Sequence, residues 1–172
     1  FLHGIPHFAI SIGLERDCGL IAGMFYEPTR DGLYWAEKGA AAYLSERRLR
    51  VSARRQMTEA VFATGMSPRH RGNPAHAAIR DTVTAQAAGV RRFGAAALDL
   101  AYVAAGRLDG FWEFGLKPWD MAAGLILVRE AGGTVAALSD GNLMESGDVI
   151  AANPPLYQPL RELLTAAVAA AI

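Results

Sequence analysis

Residues 125–131, Leu-Ile-Leu-Val-Arg-Glu-Ala, carry no polar stripe, so the helix that holds them must be enclosed rather than laid on a surface. The helix is expected over Met121 to Ala131, stopped by Gly132-Gly133, since glycine ends helices just past their last turn. Ahead of it runs Glu113-Phe114-Gly115-Leu116-Lys117-Pro118-Trp119-Asp120, which sets two carboxylates seven residues apart across a short Gly/Pro turn. Pro118 biases Lys117 towards an extended backbone. Ala122, Ala123 and Gly124 keep the first helical turn slim, so another backbone or a ligand can come close. A carboxylate at the entrance of an enclosed helix is costly without a partner. Two uses suit Asp120. It can act as an N-cap, accepting the free N–H groups two and three residues on. It can instead ligate a hard cation beside a phosphate, because oxygen donors suit Mg2+ and helix starts favour anions.

The remainder of the chain has to supply the enclosure. At 172 residues, 52% hydrophobic and 20% charged, it can build one substantial core, in one or two lobes, and a disordered protein is excluded. The formal net charge of zero removes any general attraction to nucleic acid or to an anionic membrane. No apolar run approaches a membrane span. Cys18 has no second cysteine to pair with, which fits a reducing cytoplasm. The start at Phe1, without an initiator Met or a signal-peptide pattern, reads as a cut through an element already under way.

Two rhythms follow along the chain. Phe8 to Glu15 alternates like a half-buried strand, Arg16-Asp17-Cys18-Gly19 is a hairpin turn, and strands are expected over Leu20 to Tyr26, Leu33 to Ala36 and Ala40 to Leu44. This is an antiparallel meander. Arg47, Arg48, Arg50, Arg54 and Arg55 then cluster, a patch that suits a solvated face or a subunit edge; nucleic acid is not the expected partner of a neutral chain. A strand over Ala60 to Thr64 leads into a Gly/Pro-rich loop, Gly65 to Pro74. His70 and His76 have no acidic or cysteine partner at metal spacing and are expected at the surface. Gly4 and Pro6 between His3 and His7 rule out a helical metal pair. Beyond residue 75, helices and strands alternate: a helix over Ala75 to Ala88, a strand over Val90 to Phe93, a helix over Ala95 to Ala105, a strand over Leu108 to Phe114, the enclosed helix, strands over Thr134 to Leu138 and Val149 to Ala152, and a last helix from Pro154-Pro155. Such alternation means layered α/β. Two parts are expected, residues 1–58 as strands completing one lobe and 59–172 as a second α/β lobe.

Gly94-Ala95-Ala96-Ala97 opens a helix directly after a strand, and small residues there leave N–H groups open to an incoming oxygen. The strand ending at Glu113 lies between this helix and the one at Asp120. If its end meets both helix starts, Glu113, the Gly94–Ala96 backbone and Asp120 surround one pocket, where open α/β sheets bind their ligands. No phosphate loop, zinc cluster or nucleophile elbow is present, and no Cys/His or Ser/His pair suggests covalent catalysis.

Trp119-Asp120-Met121-Ala122-Ala123-Gly124 followed by Glu130-Ala131-Gly132-Gly133 resembles the C-terminal signature of the inositol monophosphatase family, Mg2+-dependent and lithium-sensitive phosphatases. The similarity continues through Phe1-Leu2-His3-Gly4-Ile5-Pro6-His7-Phe8, Glu37-Lys38-Gly39-Ala40, Gly94-Ala95-Ala96-Ala97-Leu98-Asp99 and Val149-Ile150-Ala151-Ala152-Asn153. The Arg91-Arg92-Phe93-Gly94 and Gly115-Leu116-Lys117-Pro118-Trp119 versions look bacterial. The resemblance implies a layered αβαβα sandwich, commonly dimeric, with in-line attack on phosphate by a metal-activated water. It assigns Asp120 to the second catalytic metal, Glu113 to the hydroxyls of the substrate ring, and Gly94, Ala95 and Ala96 to the backbone lining the substrate pocket, with Ala95 where some members carry threonine. The implied activity is hydrolysis of a small phosphate monoester, inositol-1-phosphate first. Relatives with the same signature act on histidinol phosphate, fructose-1,6-bisphosphate or nucleotide 3'-phosphates, and some bacterial relatives are linked to the transcription machinery, so a non-catalytic regulatory protein on this scaffold is the rival expectation. The family's Asp-Pro-(Ile/Leu)-Asp-Gly-Thr-Thr motif and a metal-binding glutamate precede its Phe-Leu-His segment, and neither is within these 172 residues. One carboxylate cannot hold a metal pair, so this stretch alone is expected to be inactive and to belong to a longer protein.

Overall fold

The computed structural model describes residues 2–17, 19–66, 74–138 and 141–170. Cys18, most of the loop after Met66 and His70 lie outside the described residues. The meander forms as expected: β1 (Ile10–Arg16), β2 (Gly19–Glu27), β3 (Gly32–Glu37), β4 (Ala41–Leu44) and a two-residue β5 (Arg47–Arg48) pair antiparallel in chain order. A second five-stranded sheet runs in the order β7-β6-β8-β10-β9, from β6 (Val61–Thr64), β7 (Gly89–Arg91), β8 (Gly110–Glu113), β9 (Thr134–Ala137) and β10 (Val149–Ala152). Here β6 is parallel to both β7 and β8, whereas β10 is antiparallel to β8 and β9.

Five helices complete the layers: α1 (Pro74–Thr84), α2 (Ala96–Ala104), α3 (Pro118–Glu130), a single turn α4 (Leu143–Ser146) and α5 (Pro154–Ala170). Alternation along the second sheet divides the interior in two. Ala63, Phe111, Val149 and Ala151 face α2 and α3. Their neighbours Phe62, Trp112, Ile150 and Ala152 face Ile79 and Val83 of α1 and Leu156, Leu160 and Leu164 of α5. On its other side α3 packs on β1, β2 and β3. The sequence of layers is sheet, α2/α3, sheet, α1/α5, four of the five layers of the expected sandwich.

The slim turn of α3 meets a backbone. A Cβ on Gly13 of β1 would stand 2.7 Å from Ala122 Cβ, and one on Gly23 of β2 would stand 2.7 Å from Ala123 Cα. The helix is enclosed as expected, with every residue from Met121 to Val128 buried.

Several boundaries differ from the sequence reading. The central helix begins one turn early, at Pro118, because proline suits the first helical position, where no N–H is needed. The helix expected to reach Ala88 ends at Thr84, where Gln86 and Ala87 both donate to the Val83 carbonyl and the chain turns towards Gly89 on β7. The strand expected from Leu108 starts at Gly110, because Asp109 is occupied in bridging to Val61. Elements as short as β5 and α4 leave no periodic signal. The single turn α4 exists because Asn142 Oδ1 caps it, accepting from Met144 N–H at 2.8 Å.

Candidate functional site

β8 ends on Glu113, and the chain then turns through Gly115 to Lys117 into α3. Two bonds brace this turn from the opposite side: Gly115 N–H donates to Asp148 Oδ1 (2.9 Å) and Leu116 N–H to the Gly147 carbonyl (3.0 Å). The result is a cavity of about 350 Å3 lined by Gly65, Met66, Arg92, Gly94, Ala96, Glu113, Gly115, Leu116, Lys117 and Asp120. Glu113, Asp120, Gly94 and Ala96 therefore meet in one place, at the strand end between the starts of α2 and α3. Ala95 stands between the two lining residues as the N-cap of α2, and its carbonyl accepts Asp99 N–H at 3.0 Å.

Asp120 does not cap α3 in the way the capping alternative requires. Lys117 holds the N-cap position with an extended backbone, φ −95 and ψ 155. Asp120 lies three residues inside, and its Oδ2 accepts the Lys117 N–H at 3.0 Å. This bond runs backward, because the helix starts a turn before Met121. Among the described residues Oδ1 accepts no hydrogen bond, so one oxygen of the half-buried carboxylate remains for a ligand in the cavity.

Glu113 is buried, and its carboxyl is pushed up to about 7, first by burial and then by the charge of Asp120, with Arg92 acting in the opposite direction. It fits because residue 65 is glycine: a methyl group there would collide with the Glu113 carboxylate. Asp99 on α2, 1% exposed, has no hydrogen-bond partner for either carboxyl oxygen among the described residues. Burial, and secondarily the charge of Glu113, pushes Asp99 up to about 8. Arg92 and Lys117 bring two cationic side chains to the cavity, and neither forms an ion pair with a described residue.

Sequence reasoning placed Asp99 inside a motif without giving it a use, and passed over Gly65, Arg92 and Lys117. Only the strand-to-helix position of Gly65, beside the end of β6, hinted at the first. Arg92 and Lys117 adjoin motif positions in sequence, and nothing local marks them as lining a cavity. His76 needs correction: it is half-buried on α1, its ring edge-on to Phe114 with centroids 4.8 Å apart. His7 is also half-buried, its ring tilted against those of Phe93 and Tyr102.

The donor set fits a hard divalent cation at one position, the free Oδ1 of Asp120. It does not form a whole coordination shell, since the described residues contain no cluster of three or more His, Cys, Asp or Glu side chains able to hold a metal.

The chain resembles known proteins over its whole length. The model of the inositol monophosphatase family matches residues 1–172. The chain is 49% identical over 166 residues to an inositol-1-monophosphatase of Rhizobium meliloti, covering 95% of this chain and 62% of that protein. It is 43% identical to the Nus factor SuhB of Pseudomonas aeruginosa, covering 93% of this chain and 60% of that protein. The solved inositol monophosphatase of Anabaena superposes with a TM-score of 0.91 at 37% identity, covering 96% of this chain and 66% of that one. The chain thus spans about three fifths of the length of these two curated relatives. Motif, layered fold and family match agree, and the chain belongs to the inositol monophosphatase family.

Proposed function

We propose that the protein hydrolyses a small phosphate monoester with the help of Mg2+, and that inositol-1-phosphate is its substrate. The observation that carries this reading is the meeting of Glu113 and the free oxygen of Asp120 in one cavity at two helix starts. In this reading Asp120 Oδ1 is one ligand of the cation. Glu113 accepts hydrogen bonds from the hydroxyls of the polyol, and the backbone at Gly94, Ala95 and Ala96 shapes the wall behind it. Arg92 and Lys117 offset the two carboxylates and draw in an anionic ester. A bound divalent cation supplies electrostatic stabilisation to the phosphate oxygens. Burial of Glu113 strengthens each hydrogen bond it makes, because the local dielectric is low.

The same reading carries inhibition by lithium, a homodimer, a cytoplasmic location and a division near residue 58 between the two sheets. Its test is phosphate release from inositol-1-phosphate with Mg2+ present and absent, in the full-length protein and in Glu113→Gln. Mg2+-dependent release is expected, with KM raised or kcat lowered in the variant at unchanged fold. Release that is indifferent to Mg2+ would sink the reading.

A second reading, a regulatory partner-binding protein, draws on the Nus factor relatives and on the exposed Arg47, Arg48, Arg50 and Arg55, which form no ion pair with described residues. Arg54 does not belong to that free patch, because it pairs with Asp109 at 3.1 Å. No Mg2+-dependent turnover of any small phosphate monoester would favour this second reading.

A further inference from the structure

Residues 114–117, between β8 and α3, form no helix or strand, so the span from Glu113 to Asp120 takes its shape from what the turn is fastened to. Val149 of β10 pairs with Glu113, the last residue of β8. Beyond that pair the strand ladder stops, and two other bonds carry the alignment onward. Gly115 N–H donates to a side chain, Asp148 Oδ1, at 2.9 Å, and Leu116 N–H donates to the Gly147 carbonyl at 3.0 Å. Gly147 is buried and left-handed, φ 71, and a Cβ there would collide with the Leu116 carbonyl oxygen. Main chain packs on main chain at this point, with no rotamer to loosen the contact. Asp148 is gripped in turn: its N–H donates to Ser146 Oγ at 3.3 Å, and its carbonyl accepts Leu138 N–H at 2.9 Å.

We propose that Asp148 is a positioning residue of the site: through Gly115 N–H it fixes the turn that spaces the Glu113 and Asp120 carboxylates, and with it the places of substrate and cation. Asp148 does not line the cavity, whereas Gly115, Leu116 and Lys117 of the turn all do. It therefore acts through the turn and not on the ligand. Without this bond a turn containing a left-handed glycine, Gly115 at φ 69, gains freedom that binding must then remove. A misplacement of about 1 Å remote from the reacting atoms can cost on the order of 100-fold in rate, so a bond that acts only on geometry is enough to matter. The inference rests on the reading of Glu113 and Asp120 as the groups that receive substrate and cation.

The test uses the full-length protein and reads KM for inositol-1-phosphate, the Mg2+ concentration giving half-maximal rate, and amide hydrogen exchange across residues 114–117 without ligand. Asp148→Ala removes the acceptor; KM and the half-maximal Mg2+ concentration are each expected to rise about fivefold, and exchange across the turn to quicken. Asp148→Asn keeps an oxygen for Gly115 N–H and should restore all three readings, which separates the contact from the charge. Asp109→Ala is the control, since it loses stability through contacts with Ser52, Arg54 and Val61, and it should leave all three unchanged. If Asp148→Ala does not fold, Asp148→Ser, whose hydroxyl falls one bond short of Gly115 N–H, carries the same expectations. Should Glu113→Gln and Asp120→Asn alter neither KM nor the Mg2+ dependence, the reading of the site falls and this inference with it. Should those two alter them while Asp148→Ala lowers only the melting temperature, the inference alone is overturned. A KM shift of equal size in Asp109→Ala would overturn it as well.

Discussion

Asp109 and Asp99 are two aspartates of equal burial, each 1% exposed, in surroundings of opposite kind. Asp109 precedes β8 and is fully engaged: Oδ1 accepts from the Ser52 hydroxyl and from Arg54 Nη1, and Oδ2 accepts Val61 N–H at 2.8 Å. Asn153 extends that network, donating through Nδ2 to Ser52 Oγ at 2.7 Å and to the Arg54 carbonyl, while its Oδ1 caps α5 by accepting Leu156 N–H. Every member ties the segment after β5 to the second sheet. Asp99, on α2, has no hydrogen-bond partner among the described residues. A satisfied buried carboxylate specifies structure, whereas an unsatisfied one at a ligand site is a cost that binding or catalysis can use.

The difference can be measured, and the largest effect is expected in the pH dependence of stability. The folded Asp99 carboxyl lies well above its unfolded value, so folding retains a proton that the unfolded chain loses. Stability from this group is therefore full below about pH 4, declines as pH rises, and levels off above about pH 8. Glu113 adds a similar decline that ends near pH 7. Asp99→Asn removes the Asp99 share, so relative to wild type it should gain stability between pH 4 and pH 8, by several kcal/mol at the upper end. Urea unfolding of both proteins across that range gives the comparison; parallel curves would break it.

Asp109→Ala should lose about 3 kcal/mol, because it strands the Val61 amide, the Ser52 hydroxyl and the Arg54 guanidinium together. The urea midpoint reports this loss, and turnover per folded molecule should stay the same. Asp120 stands between the two cases, with one oxygen in use and one free. Asp120→Asn keeps an acceptor for Lys117 N–H, so the melting temperature should hold. Mg2+-dependent turnover should fall on the order of 100-fold, as expected from losing a few kcal/mol of charge stabilisation. Normal Mg2+ dependence would make the backward hydrogen bond its whole purpose. The smallest effect is expected for Gly65→Ala: the new methyl displaces the Glu113 carboxylate and should raise KM for inositol-1-phosphate about threefold, with a modest loss of stability. A change in melting temperature without a change in KM would show that Glu113 accommodates the methyl and keeps its function.

Much of the fold was legible because it rests on local signals. Alternation gave the meander, the unbroken apolar run gave the enclosed α3, and Gly132-Gly133 marked its end, where Gly133 N–H returns to the Val128 carbonyl at 2.8 Å. The convergence of Glu113, Gly94, Ala96 and Asp120 was also foreseeable, since each lies at a strand end or a helix start. What could not be seen depends on contacts between distant parts of the chain. Nothing near Asp99 in sequence distinguishes it from Asp109, because the partners of Asp109 lie 48 to 57 residues away. Gly65 gave no sign that it makes room for Glu113. Asp120 does serve the helix start, but as the first-turn acceptor of a capping box rather than as its N-cap, because Pro118 starts the helix a turn before Met121.

The glycines that admit α3 carry a mechanical consequence. Where side chains separate a helix from a sheet, rotamers can absorb a small displacement of either. At Gly13 and Gly23 the sheet backbone meets the main chain of Ala122 and Ala123, the Ala122 methyl and the Cγ2 methyl of Ile126. Asp120 is two residues from that junction, and Ser11 Oγ also holds the Trp119 carbonyl at 2.9 Å. Any slide of the first sheet is transmitted undamped to the proposed cation ligand, which makes the meander a gauge block for the reaction centre rather than a cover over it.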